Sequence, residues 1–340
     1  MSWDAPPRSL CSGGLSDGTG HVAVAAQAGA GAGWQVFGPD GSPQATFAAW
    51  PLLAASSGWH GLAIEPRAEL GTRVTHRTYA PAGALLGEAE ASSAPEQLQA
   101  LAWALAPDPR GGSFTLVGQQ DLFRNHWTRL EAQRFDEVGR PRWPENLPFD
   151  ANGEHEILFV AAGVSTLGEA LAIRQNASRV DVTWLRADGA TAAQALDAEP
   201  YAAVVGSADF RRYEVELVSL LDGGLAVRSD GIFRRTYPHL ATVTTSLPAW
   251  LEARAASRLR LTRGNRGYAL FPPSGREEPR CEQAVEILAA SGRLCGRVIL
   301  AGAGRACTTG VVDQGWDGTV VQQRGHLACA WRFWPGLLGR

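Results

Sequence analysis

The sequence predicts an all-β protein: a single seven-bladed β-propeller of four-stranded antiparallel blades, its ring closed by an N-terminal strand that joins the C-terminal blade. Three observations predict it. A glycine followed by small and β-branched residues recurs seven times along the 340 residues. Most copies are followed by a longer extended run that ends in a turn with glycine. Helix signals are sparse.

The repeated glycines are Gly20, Gly61, Gly112, Gly168, Gly224, Gly267 and Gly318, as in Gly20-His-Val-Ala-Val-Ala and Gly112-Ser-Phe-Thr-Leu-Val. Their spacings are 41, 51, 56, 56, 43 and 51 residues. Short antiparallel strands in units of this length are the mark of a propeller. The small residues after each glycine suit an inner strand, where blades converge. The long runs end at Asp40-Gly41, Asp188-Gly189 and Ser291-Gly292, with less regular versions at Gly83 and Gly139. Glycine accepts the positive φ of tight hairpin turns. A further strand precedes each glycine, as in Glu156–Val160 and Tyr213–Val218, and a return strand follows each turn.

The blades then span about residues 9–50, 51–92, 97–148, 154–198, 212–247, 250–301 and 305–338, with 3–10 completing the last. Ala94–Leu105 has helical composition but falls where an inner strand is due. The whole chain, 1–340, reads as one domain.

Composition excludes several functions. All 31 basic residues are arginine. Without lysine there is no P-loop, no kinase strand lysine and no Schiff base. A net charge of −3 argues against nucleic acid, which is held mainly by phosphate neutralisation. No apolar stretch approaches the roughly 18 residues of a membrane helix, so membrane insertion is not expected. Met1–Arg8 has neither the basic nor the apolar region of an intact signal peptide. A monomer is expected.

Four of the five cysteines, Cys281, Cys295, Cys307 and Cys329, fall in the last 60 residues. No C-x-x-C pair supports a zinc knuckle, even with His326 three residues before Cys329. Two disulfides, Cys281–Cys295 and Cys307–Cys329, are the simpler reading. They place the protein in the periplasm or outside the cell, with Cys11 left over.

On Leu221-Asp-Gly-Gly-Leu-Ala-Val-Arg228, the cysteine pair around Val285–Cys295 and the ending Cys329-Ala-Trp-Arg-Phe-Trp-Pro-Gly-Leu-Leu338, residues 150–340 resemble uncharacterised secreted proteins common in myxobacterial genomes. The resemblance implies fold and compartment. It carries no activity.

Catalytic motifs fail on inspection. Gly29-Ala-Gly31-Ala-Gly33 follows a strand, but Trp34-Gln-Val-Phe37 replaces the helix that a dinucleotide site needs. His155-Glu156 begins like a zincin motif, yet Phe159 replaces the second histidine. There is no EF-hand. The histidines His21, His60, His76, His126, His239 and His326 make no ligand spacing. Neither metal nor cofactor is expected.

Trp34, Trp127, Trp184 and Trp331 fall on long strands and should pack between blades. Trp59, Trp103, Trp250 and Trp316 lie near loops, where indole faces can stack on sugars. Propeller sites gather over the central channel, on the loops from one blade to the next and from second to third strand. There the charged residues are Asp121, Arg124 and His126, then Asp209, Arg211 and Arg212, then Arg234, Arg235 and Arg254. Arginine forks grip carboxylates or sulfated sugars. The expected site set is therefore Trp59, Asp121, Arg124, His126, Asp209, Arg211, Arg234 and Arg254. The expected function is an exported binding or scaffold module that meets a protein or glycan at one ring face. The other reading is a hydrolase or lyase using Asp, His and Arg on the same loops.

Overall fold

The computed structural model describes residues 3–4, 9–28, 31–49, 51–66, 72–93, 98–121, 126–149, 157–176, 180–197, 215–229, 231–239, 246–262, 264–273, 283–300, 312–314, 318–324 and 330–334. They build seven antiparallel sheets, six of them formed by consecutive strands alone.

The chain opens with β1 (Trp3–Asp4). The first sheet is β2 (Ser9–Ser16), β3 (Val22–Ala28), β4 (Gly31–Phe37) and β5 (Pro43–Phe47). The second is β6 (Leu52–Ala55), β7 (Gly58–Pro66), β8 (Thr72–Tyr79) and β9 (Leu85–Ser93). The third is β10 (Leu98–Pro107), β11 (Ser113–Asp121), β12 (His126–Phe135) and β13 (Leu147–Phe149). The fourth is β14 (Ile157–Val164), β15 (Ala170–Asn176), β16 (Val180–Leu185) and β17 (Thr191–Asp197). The fifth has three described strands, β18 (Val215–Ser219), β19 (Leu225–Ser229) and β20 (Ile232–Tyr237). A short helix, α1 (Ala249–Glu252), leads to the sixth sheet: β21 (Arg258–Leu261), β22 (Gly267–Phe271), β23 (Gln283–Ala289) and β24 (Leu294–Leu300). The seventh holds β25 (Val312–Gln314), β26 (Val320–Arg324) and β27 (Ala330–Trp334). The strand β1 joins it, pairing antiparallel to β27 with Trp3 opposite Phe333.

One turn design recurs at one end of the sheets. A backbone N–H and C=O are exchanged across four or five residues, and the residue closing the turn takes positive φ. Thus Gly168 N donates to Ser165 O and Ser165 N to Glu169 O, while Gly189 repeats the pattern with Arg186 and Ala190. This is a type I turn followed by a left-handed residue, which matches strand twist. Asn265 (φ 54°) fills the left-handed position between β21 and β22, where asparagine is the tolerated substitute for glycine.

Second strands explain how the sheets stack. Alternate side chains of a strand face opposite ways, and both faces of each second strand are covered. On β3, Val22 and Val24 pack with Phe37, Val321 and Phe333, between the seventh and first sheets. Ala23 and Ala25 pack instead with Leu52, Trp59 and Tyr79 of the second sheet. On β15, Ala170 and Ala172 face the third sheet, whereas Leu171 and Ile173 face the fifth. On β22, Tyr268 and Leu270 face the fifth sheet, Ala269 and Phe271 the seventh. The described core is thus a set of seven apolar seams, one between each pair of neighbouring sheets. The first strands also touch in sequence, β2 to β6, β6 to β10, β10 to β14, β14 to β18, β18 to β21, β21 to β25 and β25 to β2.

Two expectations need correction. The inner strand precedes the repeated glycine. The small residues after it belong to the second strand, which is apolar because both its faces are buried. The strand due within Ala94–Leu105 is present, since residues 98–105 lie in β10. The Cys281–Cys295 bridge is not made, because Cys295 is a free thiol exposed on β24. Cys281, Cys307 and Cys329 lie outside the described residues, as does the side chain of Cys11. Among the described residues no helix is long and apolar enough to cross a membrane.

Candidate functional site

The first strands enclose a cavity of about 800 Å³. Its wall is made of Leu15 on β2, Leu53 and Ala54 on β6, Ala104–Ala106 on β10, Ala161 and Ala162 on β14, Val215–Val218 on β18 and Leu261 on β21. Small and aliphatic side chains keep the bore open where first strands converge. One ion pair breaks the apolar wall. Arg260 Nη1 donates to Glu216 Oε1 at 2.5 Å across the fifth and sixth sheets, and Arg228 lies 3.7 Å from the other carboxylate oxygen.

At the turn end, Ser56, Pro109–Gly111, Glu137, Thr262 and Asn265 border the cavity. Asn265 Nδ2 donates to Pro109 O at 3.2 Å. This bond joins the sixth sheet to the third, so it crosses the mouth.

The neighbouring turns are held by buried polar groups. Arg134 on β12 is 1% exposed and Asp108 is fully buried. Arg134 Nε donates to Asp108 Oδ2 at 2.9 Å and Nη1 to Gly168 O at 2.8 Å, tying the third sheet to the fourth. Burial lowers the guanidinium pKa, against the attraction of Asp108.

Between the second and third sheets, His60 Nδ1 lies 3.0 Å and His76 Nε2 2.9 Å from Ser113 Oγ. His60 Nε2 is 3.3 Å from Glu137 O, and the His76 ring stacks on Phe135 at 3.8 Å. All three polar side chains are fully buried. Desolvation pushes the His60 pKa down to about 4 and holds His76 well below the usual histidine value, with the neighbouring His60 adding to it.

Of the sequence-predicted residues, the register sets Asp121 opposite His126, at the ends of β11 and β12. Their side chains, and Arg124, Asp209 and Arg211 entirely, lie outside the described residues. Trp59 is no platform. Its indole is fully buried between the first and second sheets, and its N–H donates to Pro81 O at 3.0 Å. Arg254 is committed to Trp250 O at 3.0 Å and to Glu286 at 3.4 Å. Arg234 sits on β20, and no hydrogen bond or ion pair joins Trp59, Arg234 and Arg254. Trp34 and Trp184 are buried in the seams; Trp127 and Trp331 have side chains outside the described residues.

Sequence reasoning missed the His60–Ser113–His76 cluster. The signal lies in the register: His60 pairs with Thr78, which places His76 on the same sheet face.

No family model and no curated protein matches the chain. Solved structures do. Prolyl oligopeptidase B from Galerina marginata, bound to a 35mer hydrolysis and macrocyclization substrate, aligns at TM-score 0.53 and 8% identity over 99% of this chain and 48% of that one. The apo form aligns at TM-score 0.51 and 8% identity, over 97% of this chain and 50% of that one. The chain therefore spans about half the length of these oligopeptidase chains. The WD40 domain of SCAP from fission yeast aligns at TM-score 0.42 and 7% identity, over 99% of this chain and 88% of that one. The class defined by the fold is an all-β, β-propeller-like protein.

Proposed function

We propose that the chain is a closed seven-bladed β-propeller, exported, that serves as a binding module for a protein or glycan met at one face of the ring. Several features support the ring. First-strand contacts run from β2 through to β25 and back, a seam joins the seventh sheet to the first, and β1 completes the seventh sheet. The observation that carries the binding reading is the cavity. Its wall is aliphatic, its charged pair Glu216–Arg260 is mutually satisfied, and its turn end is crossed by Asn265–Pro109. Acid–base chemistry needs groups poised near a reacting atom. The described wall offers packing surface instead. Access then favours the opposite end, where the register sets Asp121 against His126.

The test is a glycan array together with pull-down of peptide and protein ligands on purified protein. Captured ligand recovered unchanged supports the module. Hydrolysis or elimination of the captured glycan or peptide overturns it in favour of a hydrolase or lyase. Export rests on the remaining Cys307–Cys329 pair and on the resemblance to myxobacterial secreted proteins. Thiol titration of native protein should find three free thiols, and five would overturn that part.

A further inference from the structure

We propose that the His76–Ser113–His60 chain is an acid-operated latch between the second and third sheets, closed only while both imidazoles are neutral. Its hydrogen-bond sense follows from one carbonyl. Glu137 O can only accept, so His60 carries its proton on Nε2 and leaves Nδ1 as an acceptor. Ser113 must then donate its hydroxyl proton to His60 Nδ1. The serine oxygen in turn accepts from His76, whose proton is therefore on Nε2. Every proton in the chain has one place. His76 Nδ1 is left as a buried lone pair with no partner.

This arrangement has no room for another proton. A proton taken from solvent onto His76 Nδ1 would sit on a buried donor without an acceptor. One taken onto His60 Nδ1 would turn that atom into a donor facing Ser113 and strand the serine hydroxyl proton. Either event buries a cation in a seam otherwise filled by Leu62, Val74, Val117 and Phe135.

The charged groups on the surrounding elements are engaged elsewhere. Asp136 accepts the Val138 and Arg140 amides at 3.0 and 2.8 Å, and its pull on His60 is weaker than burial. The Glu137 carboxylate lies against Gly111. Arg134 is turned to Asp108, and Glu131 has its own partner. On β7 and β8, Glu65 holds Arg73 and Arg77. The Arg140 side chain belongs to the exposed tip of its turn. Opening the latch would release the Asp136–Arg140 turn, whose Glu137 borders the cavity. The latch stands whether or not the cavity binds a ligand.

The test is nitrogen-15 NMR of the imidazoles in the wild-type protein. Both rings should be neutral Nε2–H tautomers at pH 7, and neither should titrate at the ordinary histidine value. A ring titrating near pH 6.5, or an Nδ1–H tautomer in either, overturns the proposal. A second measurement follows the urea midpoint from pH 7.5 to pH 4 in wild type and His60→Gln, which retains an N–H for Glu137 O and an oxygen for Ser113. The variant should lose its midpoint less steeply on acidification, and equal slopes would overturn the latch.

Discussion

The seam between the second and third sheets and the seam between the seventh and first share one strand geometry and differ in what fills them. Among the described residues, Val22, Val24, Phe37, Val321 and Phe333 form an apolar cluster in the second of these. The first places two histidines and a serine beside Leu62, Val117 and Phe135. Apolar burial is indifferent to pH and to direction. A buried hydrogen-bond chain is neither, because each donor needs its one acceptor and each added charge must be desolvated. Stability in this fold is therefore distributed by seam, and only some seams couple it to solution conditions. The third sheet is polar on both sides, since its other seam holds Arg134 and Asp108.

The largest expected effect comes from breaking a polar seam by halves. Asp108→Ala strands the buried Arg134 guanidinium and should cost roughly 3–5 kcal/mol in urea unfolding. Replacing both residues with aliphatic side chains should recover most of that. In the apolar cluster, Phe333→Ala should cost about 3–5 kcal/mol by cavity formation, and by the same amount at pH 7.5 and pH 5.

Acidification separates the two seams without mutation. Between an ordinary histidine value of 6.5 and about 4 in the folded chain, the unfolded state binds a proton that folded His60 refuses. Stability therefore falls as pH drops through that window, levels off below it, and is unaffected above about pH 7. The full His60 contribution is about 3 kcal/mol. A flat urea midpoint across the window would contradict it. Ser113→Ala should cost about 1–3 kcal/mol at pH 7 by leaving His76 Nε2–H and His60 Nδ1 unpaired. The smallest effect belongs to Leu86→Ser, on an exposed outer strand, at under about 0.5 kcal/mol.

The antiparallel all-β organisation was legible because glycine turns write themselves into sequence. Gly168 and Gly189 sit where only a left-handed residue closes the hairpin. Which strand is innermost was not legible. Val22–Ala25 and Leu53–Ala54 are both short runs of small apolar residues, one buried between two sheets and the other lining the cavity. Trp59 and His60 show the limit most clearly. Adjacent in sequence, they face opposite seams, and composition alone does not say that the indole is buried while the next residue joins a buried polar chain. Cys295 points outward for the same reason: spacing counts residues and does not give the face of β24. Asp121 and His126 could be grouped as loop neighbours, and the register places them opposite each other.

Thermal unfolding of a chain lacking residues 1–4 probes the proposed ring of seven sheets at its closure through β1 and β27. A clearly lowered Tm is expected, because β27 keeps only β26 as a partner and becomes an open edge strand. An unchanged Tm would contradict that closure.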